Sequence, residues 1–116
     1  MKARVRIRGQ ALEEYDRLKE TVKKEHEKGT EKSENITLLR SINQKIDWLK
    51  ENPLRGEVVS KKDIPKELAV DNLFKLRLAK FWRMLYTIRR NEIEIFCFIL
   101  VIESHEDYDK RFKKKK

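Results

Sequence analysis

The chain opens with strict alternation of polar and apolar residues and then changes to a helical pattern. In ARVRIRG, residues 3–9, Val5 and Ile7 alternate with arginines, which predicts a half-buried strand that ends at Gly9. From Gln10 the apolar residues recur every three or four positions, and this spacing predicts an amphipathic helix that ends near Gly29. The apolar face of this first helix comprises Leu12, Tyr15, Leu18 and Val22.

A second helical pattern follows the polar loop 30–35, in which Ser33 and Asn35 are candidate N-caps. Its apolar stripe is Ile36, Leu39, Ile42, Ile46 and Leu49. Asn52 precedes a proline, and a residue in that position disfavours helical backbone, so the helix is expected to stop there. Two helices joined by a short loop predict an antiparallel hairpin that covers one face of a sheet.

The segment 53–72 is the least regular part of the chain and contains Gly56 and both prolines. It is predicted to be a connector that includes a short edge strand around Val58 and Val59. Three strands are predicted after it. In the first, Phe74, Leu76 and Leu78 share a face opposite Lys75 and Arg77; in the second, Trp82, Met84, Tyr86 and Ile88 lie opposite Phe81, Arg83, Leu85 and Thr87.

Residues 89–92 are the predicted turn before the third of these strands. Residues 92–102 are apolar on both faces for much of their length, which is typical of a strand inside a sheet. The order strand, helix, helix, three strands predicts one α+β domain over residues 1–112, with a small, mostly antiparallel, curved sheet and an N-terminal helical hairpin on one face. A polar segment with His105, Tyr108 and Phe112 closes the domain, and residues 113–116 predict a disordered lysine tail.

Cysteine usage and the lack of a targeting pattern predict a cytoplasmic protein. Cys97 is the only cysteine of the 116 residues, which excludes an intrachain disulfide and a cysteine-based metal site, and its apolar surroundings favour a core position. Basic residues interrupt the first apolar residues, so no signal peptide is expected. The apolar run 95–102 is too short to cross a bilayer. We expect neither a metal nor a cofactor.

The formal net charge of +9 favours an anionic partner. Four of these charges are the lysines at 113–116, which leaves +5 for the rest of the chain. Nucleic acid and an acidic protein are the two partner classes that this charge favours, and simple solubility is the alternative. The arginines at positions 4, 6 and 8 could contact RNA, but charged residues also protect an edge strand from pairing, and that explanation is favoured.

Three motifs and the element order together resemble the RelE/ParE toxin superfamily, in particular archaeal RelE-like toxins of type II toxin–antitoxin systems. The motifs are DNLFKLRL at 71–78, WRMLYT at 82–87, and IESHEDY at 102–108 followed by Arg111 and Phe112. The resemblance covers nearly the whole chain by topology and residues 71–112 by motif. It implies a metal-independent, ribosome-dependent endoribonuclease that cleaves messenger RNA and is neutralised by a cognate antitoxin protein. ParE-type relatives share the fold but inhibit DNA gyrase, so fold alone does not decide the function.

The chemistry that the resemblance implies has three requirements. A base takes the proton of the attacking 2′-hydroxyl, cations stabilise the charge on the phosphorane, and an acid protonates the leaving 5′-oxygen. Arg83 matches the family's arginine and is the first candidate, because a guanidinium binds phosphate at two points. The alternative is that Arg83 pairs with a nearby carboxylate such as Glu94.

The remaining candidates are assigned by the same resemblance. His105 and Tyr108 are expected to join Arg83 in catalysis, and the phosphate-binding candidates are Lys75, Arg77, Lys80 and Arg111. For the strand cations the alternative is a solvated sheet face, and for Tyr108 it is packing against the sheet. Glu103 and Glu106 could be bases, or ion-pair partners of Arg83 or Arg111. If they neutralise the cations, the protein would have the toxin fold without nuclease activity. A non-catalytic basic RNA-binding protein of the same fold is a further alternative.

Overall fold

Within residues 2–113, the part of the chain that the computed structural model describes, a five-stranded mixed sheet and three α-helices form an α+β fold. The predicted α+β class is therefore confirmed. The elements are β1 (Arg4–Ile7), α1 (Gly9–Glu27), α2 (Glu34–Glu51), β2 (Glu57–Val58), β3 (Phe74–Arg77), β4 (Trp82–Arg90), β5 (Ile95–Ser104) and α3 (His105–Lys113). No helix in this part of the chain has the length and apolar character needed to cross a membrane.

The sheet is open, with the strand order β1-β5-β4-β3-β2. β1 pairs with β5 in parallel, and the other three neighbouring pairs are antiparallel. β5 lies between β1 and β4, as its two apolar faces predict. The short edge strand expected near Val58 is β2, which pairs with β3.

The β4–β5 turn lies two residues later than the sequence analysis places it. The Asn91 side chain accepts hydrogen bonds from the backbone N–H groups of Ile93 (2.8 Å) and Glu94 (2.7 Å). An asparagine that bonds the backbone two and three residues ahead stabilises a bend at that point. β4 therefore continues to Arg90, and β5 begins at Ile95 rather than at residue 92.

The first two helices form the predicted antiparallel hairpin. At one end the Glu25 carboxylate accepts hydrogen bonds from Ser33 (2.6 Å) and Asn35 (3.0 Å), which lower the pKa of Glu25. Further along the hairpin, Tyr15 of α1 donates a hydrogen bond to Asn43 of α2 (2.6 Å). Earlier residues of α1 therefore contact later residues of α2, which shows that the two helices are antiparallel. Of the two candidate N-caps, Ser33 is the one that caps α2. Its side-chain oxygen accepts a hydrogen bond from the backbone N–H of Ile36 at 3.1 Å.

The segment after β5, for which the sequence analysis predicts only polar character, is the helix α3. Ser104 accepts the N–H of Asp107 at 3.3 Å, as an N-terminal cap does. Tyr108 and Phe112 are one helical turn apart, and their ring centroids are 4.5 Å apart. Lys113 is the last residue of α3, and the rest of the predicted tail lies outside the described residues.

The two faces of the sheet bury separate apolar clusters. The first face packs on α1 and α2, with Met84, Tyr86, Cys97, Ile99 and Ile102 at its centre. The second face is covered by α3 and the connector between β2 and β3; its buried residues are Val59, Ile64, Leu73, Leu85 and Val101. Leu85 pairs with Val101 while Tyr86 pairs with Ile99, so Leu100 is an extra residue in β5. This bulge shifts which β5 residues face each cluster.

Candidate nucleic-acid interface

Three side chains predicted from sequence meet on the second face of the sheet. Lys75 Nζ lies 5.7 Å and Arg83 Cζ 5.9 Å from the centroid of the Tyr108 ring. These residues come from β3, β4 and α3, respectively. Alternation along β3 and β4 directs both cations away from the helical hairpin, and α3 packs on the side to which they point. The result is an aromatic ring flanked by two cations from different strands.

Arg77 extends the cationic row on the same face. It lies directly opposite Arg83 in the antiparallel β3–β4 register and is exposed. Like charges directly opposite one another destabilise an antiparallel pair. An anion bound between the two guanidinium groups would relieve that repulsion, and the Glu103 carboxylate lies in register with Arg83 on its other side, in β5.

Two carboxylates lie in register with cations of this row: Glu57 lies opposite Lys75, and Glu103 lies opposite Arg83. Within residues 2–113, Lys75, Arg77 and Arg83 take part in no ion pair. Arg83 donates instead to the carbonyl oxygen of Trp82 at 3.1 Å. Glu94, the alternative partner predicted for Arg83, forms an ion pair with Arg4 of the edge strand β1 instead. The positive charge on this row therefore remains available to a ligand.

Arg111 is placed differently from the other predicted phosphate ligands. Its guanidinium donates to both carboxylate oxygens of Glu103, each at 2.9 Å, and to Glu67 at 3.0 Å. The hydrogen bonds that Arg111 donates to Glu103 raise the pKa of Arg111. The two carboxylates compensate the positive charge of Arg111. Its hydrogen bonds to them join α3 to β5 and to the connector between β2 and β3.

The β3–β4 turn brings an exposed aromatic residue beside His105. Lys80 and Phe81 both adopt the left-handed conformation, with φ of 60° and 63°, which is unfavourable for residues other than glycine. Phe81 is 75% exposed, and its ring centroid lies 6.2 Å from that of His105. His105 also approaches Asp109, with 3.9 Å between Nε2 and Oδ2. Lys80 remains an exposed turn residue.

A surface cavity of about 390 Å³ adjoins the Lys75–Tyr108 contact. Its walls are Val58, Val59, Ser60, Asp63, Lys75, Tyr108 and Phe112. Ser60 and Asp63 were not predicted as site residues, because the connector shows no periodicity that would place them. The sequence also did not lead us to predict that Phe81 is exposed. The sequence feature that indicates this exposure is a bulky aromatic residue in a hairpin turn between two cations.

Comparison of the chain with protein-family models, with curated proteins and with solved structures gives no match. The function of the chain is therefore inferred from its sequence motifs and from the geometry of this face.

Proposed function

We propose that the protein is the toxin of a type II toxin–antitoxin system and cleaves messenger RNA on the ribosome without a metal ion. The observation that supports the proposal is the cluster of Lys75, Arg83 and Tyr108, in which neither cation forms an ion pair with a carboxylate of residues 2–113. Unpaired cations beside an aromatic ring suit a phosphodiester with an adjoining unstacked base.

The arrangement of the elements also supports a RelE-like topology. In the proposed correspondence, β1, α1, α2, β3, β4 and β5 are the βααβββ core, while β2 and α3 are additions to it. The three motif segments then fall on β3, on β4, and across the end of β5 into α3. Fold likeness of this kind leaves the activity open, so the chemistry of the side chains carries the argument.

The proposed reaction is attack of the 2′-hydroxyl oxygen on the adjacent phosphorus. The new O–P bond forms as a base removes the hydroxyl proton, and the P–O5′ bond breaks as an acid protonates the 5′-oxygen. Arg83 and Lys75 stabilise the additional negative charge of the phosphorane. His105 and Tyr108 are the groups proposed to carry the two protons, and Phe81 offers a stacking surface beside His105.

Arg111 is left out of the phosphate contact in this proposal, in contrast to its assignment from the motif. Its role is to hold α3, and with it Tyr108, against β5 through Glu103. A cognate antitoxin protein is the proposed partner that neutralises the activity.

The test is expression of the protein in cells, followed by mapping of transcript ends on translating ribosomes. We expect growth arrest with cleaved messenger RNA, and a loss of cleavage rate of about 10²-fold or more in Arg83→Gln, the effect typical of removing one group that stabilises the transition state. Arg40→Gln, an exposed arginine of α2, is the matched control and should leave cleavage unchanged.

Two other results would assign a different function. Growth arrest with intact messenger RNA and inhibited gyrase would favour a ParE-like protein that acts by contact alone. No growth arrest at all would favour a basic RNA-binding protein of the same fold without catalytic activity.

A further inference from the structure

Two phenylalanines of β5 lie beside a row of arginines on the second face of the sheet. Phe96 is in register with Arg4 of β1 on one side and with Arg89 of β4 on the other. Phe98 is in register with Arg6 and with Thr87. The intervening residue, Cys97, points to the opposite face and is fully buried. Each phenylalanine therefore has at least one arginine beside it on the same face.

The two rings form a stack that is capped by a further arginine. The centroids of Phe96 and Phe98 are 5.7 Å apart with an interplanar angle of 3°. Arg8 Cζ lies 4.1 Å from the centroid of Phe98. Both rings are partly exposed, and the arginines around them are exposed. We call this surface the Phe–Arg platform; it consists of Arg4, Arg6, Arg8, Arg89, Phe96 and Phe98.

Protection of the β1 edge does not account for the platform. Arginines on an edge strand discourage pairing with another sheet, which gives a reason for Arg4 and Arg6. It gives no reason for two parallel aromatic rings on the open part of an internal strand. Glu94 pairs with Arg4, which leaves most of the platform's positive charge uncompensated.

We propose that the Phe–Arg platform binds single-stranded RNA. The outer face of Phe96 would stack on a base, and the flanking arginines would contact the phosphates on either side. Aromatic rings among cations on an open sheet face bind single strands in this way, because every base has a π-face and every nucleotide a negative charge. Among residues 2–113, the only ring or cation stacked on Phe96 is Phe98.

The platform is separate from the Lys75–Arg83–Tyr108 cluster. Thr87, which is in register with Phe98, lies four residues beyond Arg83 in β4, a distance of about 13 Å along the strand. Binding at the platform needs no cleavage, so this inference goes beyond the proposed function and stands or falls independently of it.

The test measures binding of a fluorescein-labelled 2′-O-methyl oligouridine of about twelve nucleotides by fluorescence anisotropy, without ribosomes. This probe has no free 2′-hydroxyl and cannot be cleaved by the proposed reaction. We expect Phe96→Leu/Phe98→Leu to weaken binding about fivefold or more, the fold-change that corresponds to the lower end of base–aromatic stacking. Leucine keeps the apolar contact with the sheet but has no π-face.

A charge variant tests the phosphate contacts. In Arg4→Gln/Arg6→Gln, the dependence of log Kd on log salt concentration should become shallower by about 1.4, the value for two lost contacts to a single strand. Arg17→Gln/Arg40→Gln is the matched control: it removes the same charge from exposed positions of α1 and α2, and one of its arginines is ion-paired, as Arg4 is. It should leave affinity and salt dependence close to those of the wild type.

Three results would overturn the proposal. They are unchanged binding in the phenylalanine and arginine variants, a duplex of the same length binding as tightly as the single strand, and heparin or vesicles of anionic lipid binding with the same dependence on Phe96 and Phe98. Circular dichroism checks that each variant is folded; if the double leucine variant is not, Phe96→Leu alone and the arginine variant carry the test.

Discussion

Arg111 binds the buried carboxylate of Glu103 in two-point fashion, through hydrogen bonds of 2.9 Å from Nε and from one terminal nitrogen. Glu103 is only 5% exposed, at the end of β5. The other terminal nitrogen bonds Glu67 at 3.0 Å. A helix of nine residues with few apolar side chains is thus fixed to the sheet mainly by a charged pair and by the packing of Tyr108 and Phe112.

Removal of Arg111 alone should destabilise the protein strongly. Arg111→Met leaves the Glu103 carboxylate buried without its partner, and we expect a loss of about 3 kcal/mol in the free energy of unfolding. The double variant Glu103→Leu/Arg111→Met should recover much of that loss, because it buries no unpaired charge. Urea denaturation of the wild type, both single variants and the double variant gives the coupling energy.

An exposed pair provides the control for this cycle. Lys50 and Asp47 approach to 3.8 Å on the surface of α2, and Lys50→Met should change stability by less than about 0.5 kcal/mol. If Arg111→Met is as mild as Lys50→Met, the Glu103 pair does not hold α3 to the sheet.

The residue that lies opposite Arg83 in β5 shows which part of the site the sequence can predict and which part it cannot. Alternation in β3 and β4 is local, so it correctly separated Lys75 from the apolar face of β3 and Arg83 from the face of β4 that carries Met84. Register is not local. If the pairing of Tyr86 with Ile99 continued without interruption, Ile102 would lie opposite Arg83; the extra residue Leu100 places Glu103 there instead. A run that is apolar on both faces gives no sign of such a bulge.

Helix α3 was missed for a different reason. Only Tyr108 and Phe112 are apolar along its nine residues, so its sequence lacks the stripe that reveals a helix. The cap at Ser104 and the spacing of the two aromatic residues were the available signals. The position of Tyr108 in the site depends on this helix. The sequence alone therefore predicted Tyr108 as a site residue but did not predict which side chains surround it.

The hydroxyl of Tyr108 can be tested apart from its ring. Tyr108→Phe retains the ring between the two cations and beside Phe112, and it removes only the group proposed to carry a proton. We expect kcat for ribosome-dependent cleavage to fall about 10²-fold, the lower end for general acid–base catalysis, with KM nearly unchanged. Tyr108→Ala should also raise KM.

The matched control for this experiment is Tyr15→Phe. Tyr15 lies on α1, on the other side of the sheet, and bonds Asn43. The Tyr15→Phe variant should cleave messenger RNA at the wild-type rate. A Tyr108→Phe protein with full activity would show that Tyr108 positions the substrate and transfers no proton.

Gly56 should tolerate no side chain because Tyr86 lies against it. A Cβ at this position would be 2.6 Å from Tyr86 Oη and 2.8 Å from Cε1. The Tyr86 ring is fully buried and its hydroxyl donates to the Pro53 carbonyl at 2.7 Å, so it cannot move aside easily. We expect Gly56→Ala to cost about 2 kcal/mol, as overpacking of a core does, in urea denaturation. Glu57→Ala, at the next and exposed position, is the control; equal effects of the two changes would exclude the steric explanation.

Tyr86 should also make the fold sensitive to alkaline pH. Burial raises the pKa of Tyr86 to about 12 from its ordinary value of 10.0, although the hydrogen bond from Gly56 opposes the shift. Folding favours the neutral phenol, so this contribution is complete below pH 10.0 and is lost as the pH rises from there to about 12.

The measurement is the urea midpoint as a function of pH, together with the ultraviolet absorbance of tyrosinate. Burial also raises the pKa of Cys97, to about 11, so a Cys97→Ala background isolates the tyrosine. In that background Tyr86→Phe should be less stable at neutral pH, because the Pro53 carbonyl and the Gly56 N–H lose their partner. It should nevertheless show a smaller loss of stability between pH 10.0 and about 12 than the parent. If the two alkaline profiles have the same slope, Tyr86 is not the group that titrates.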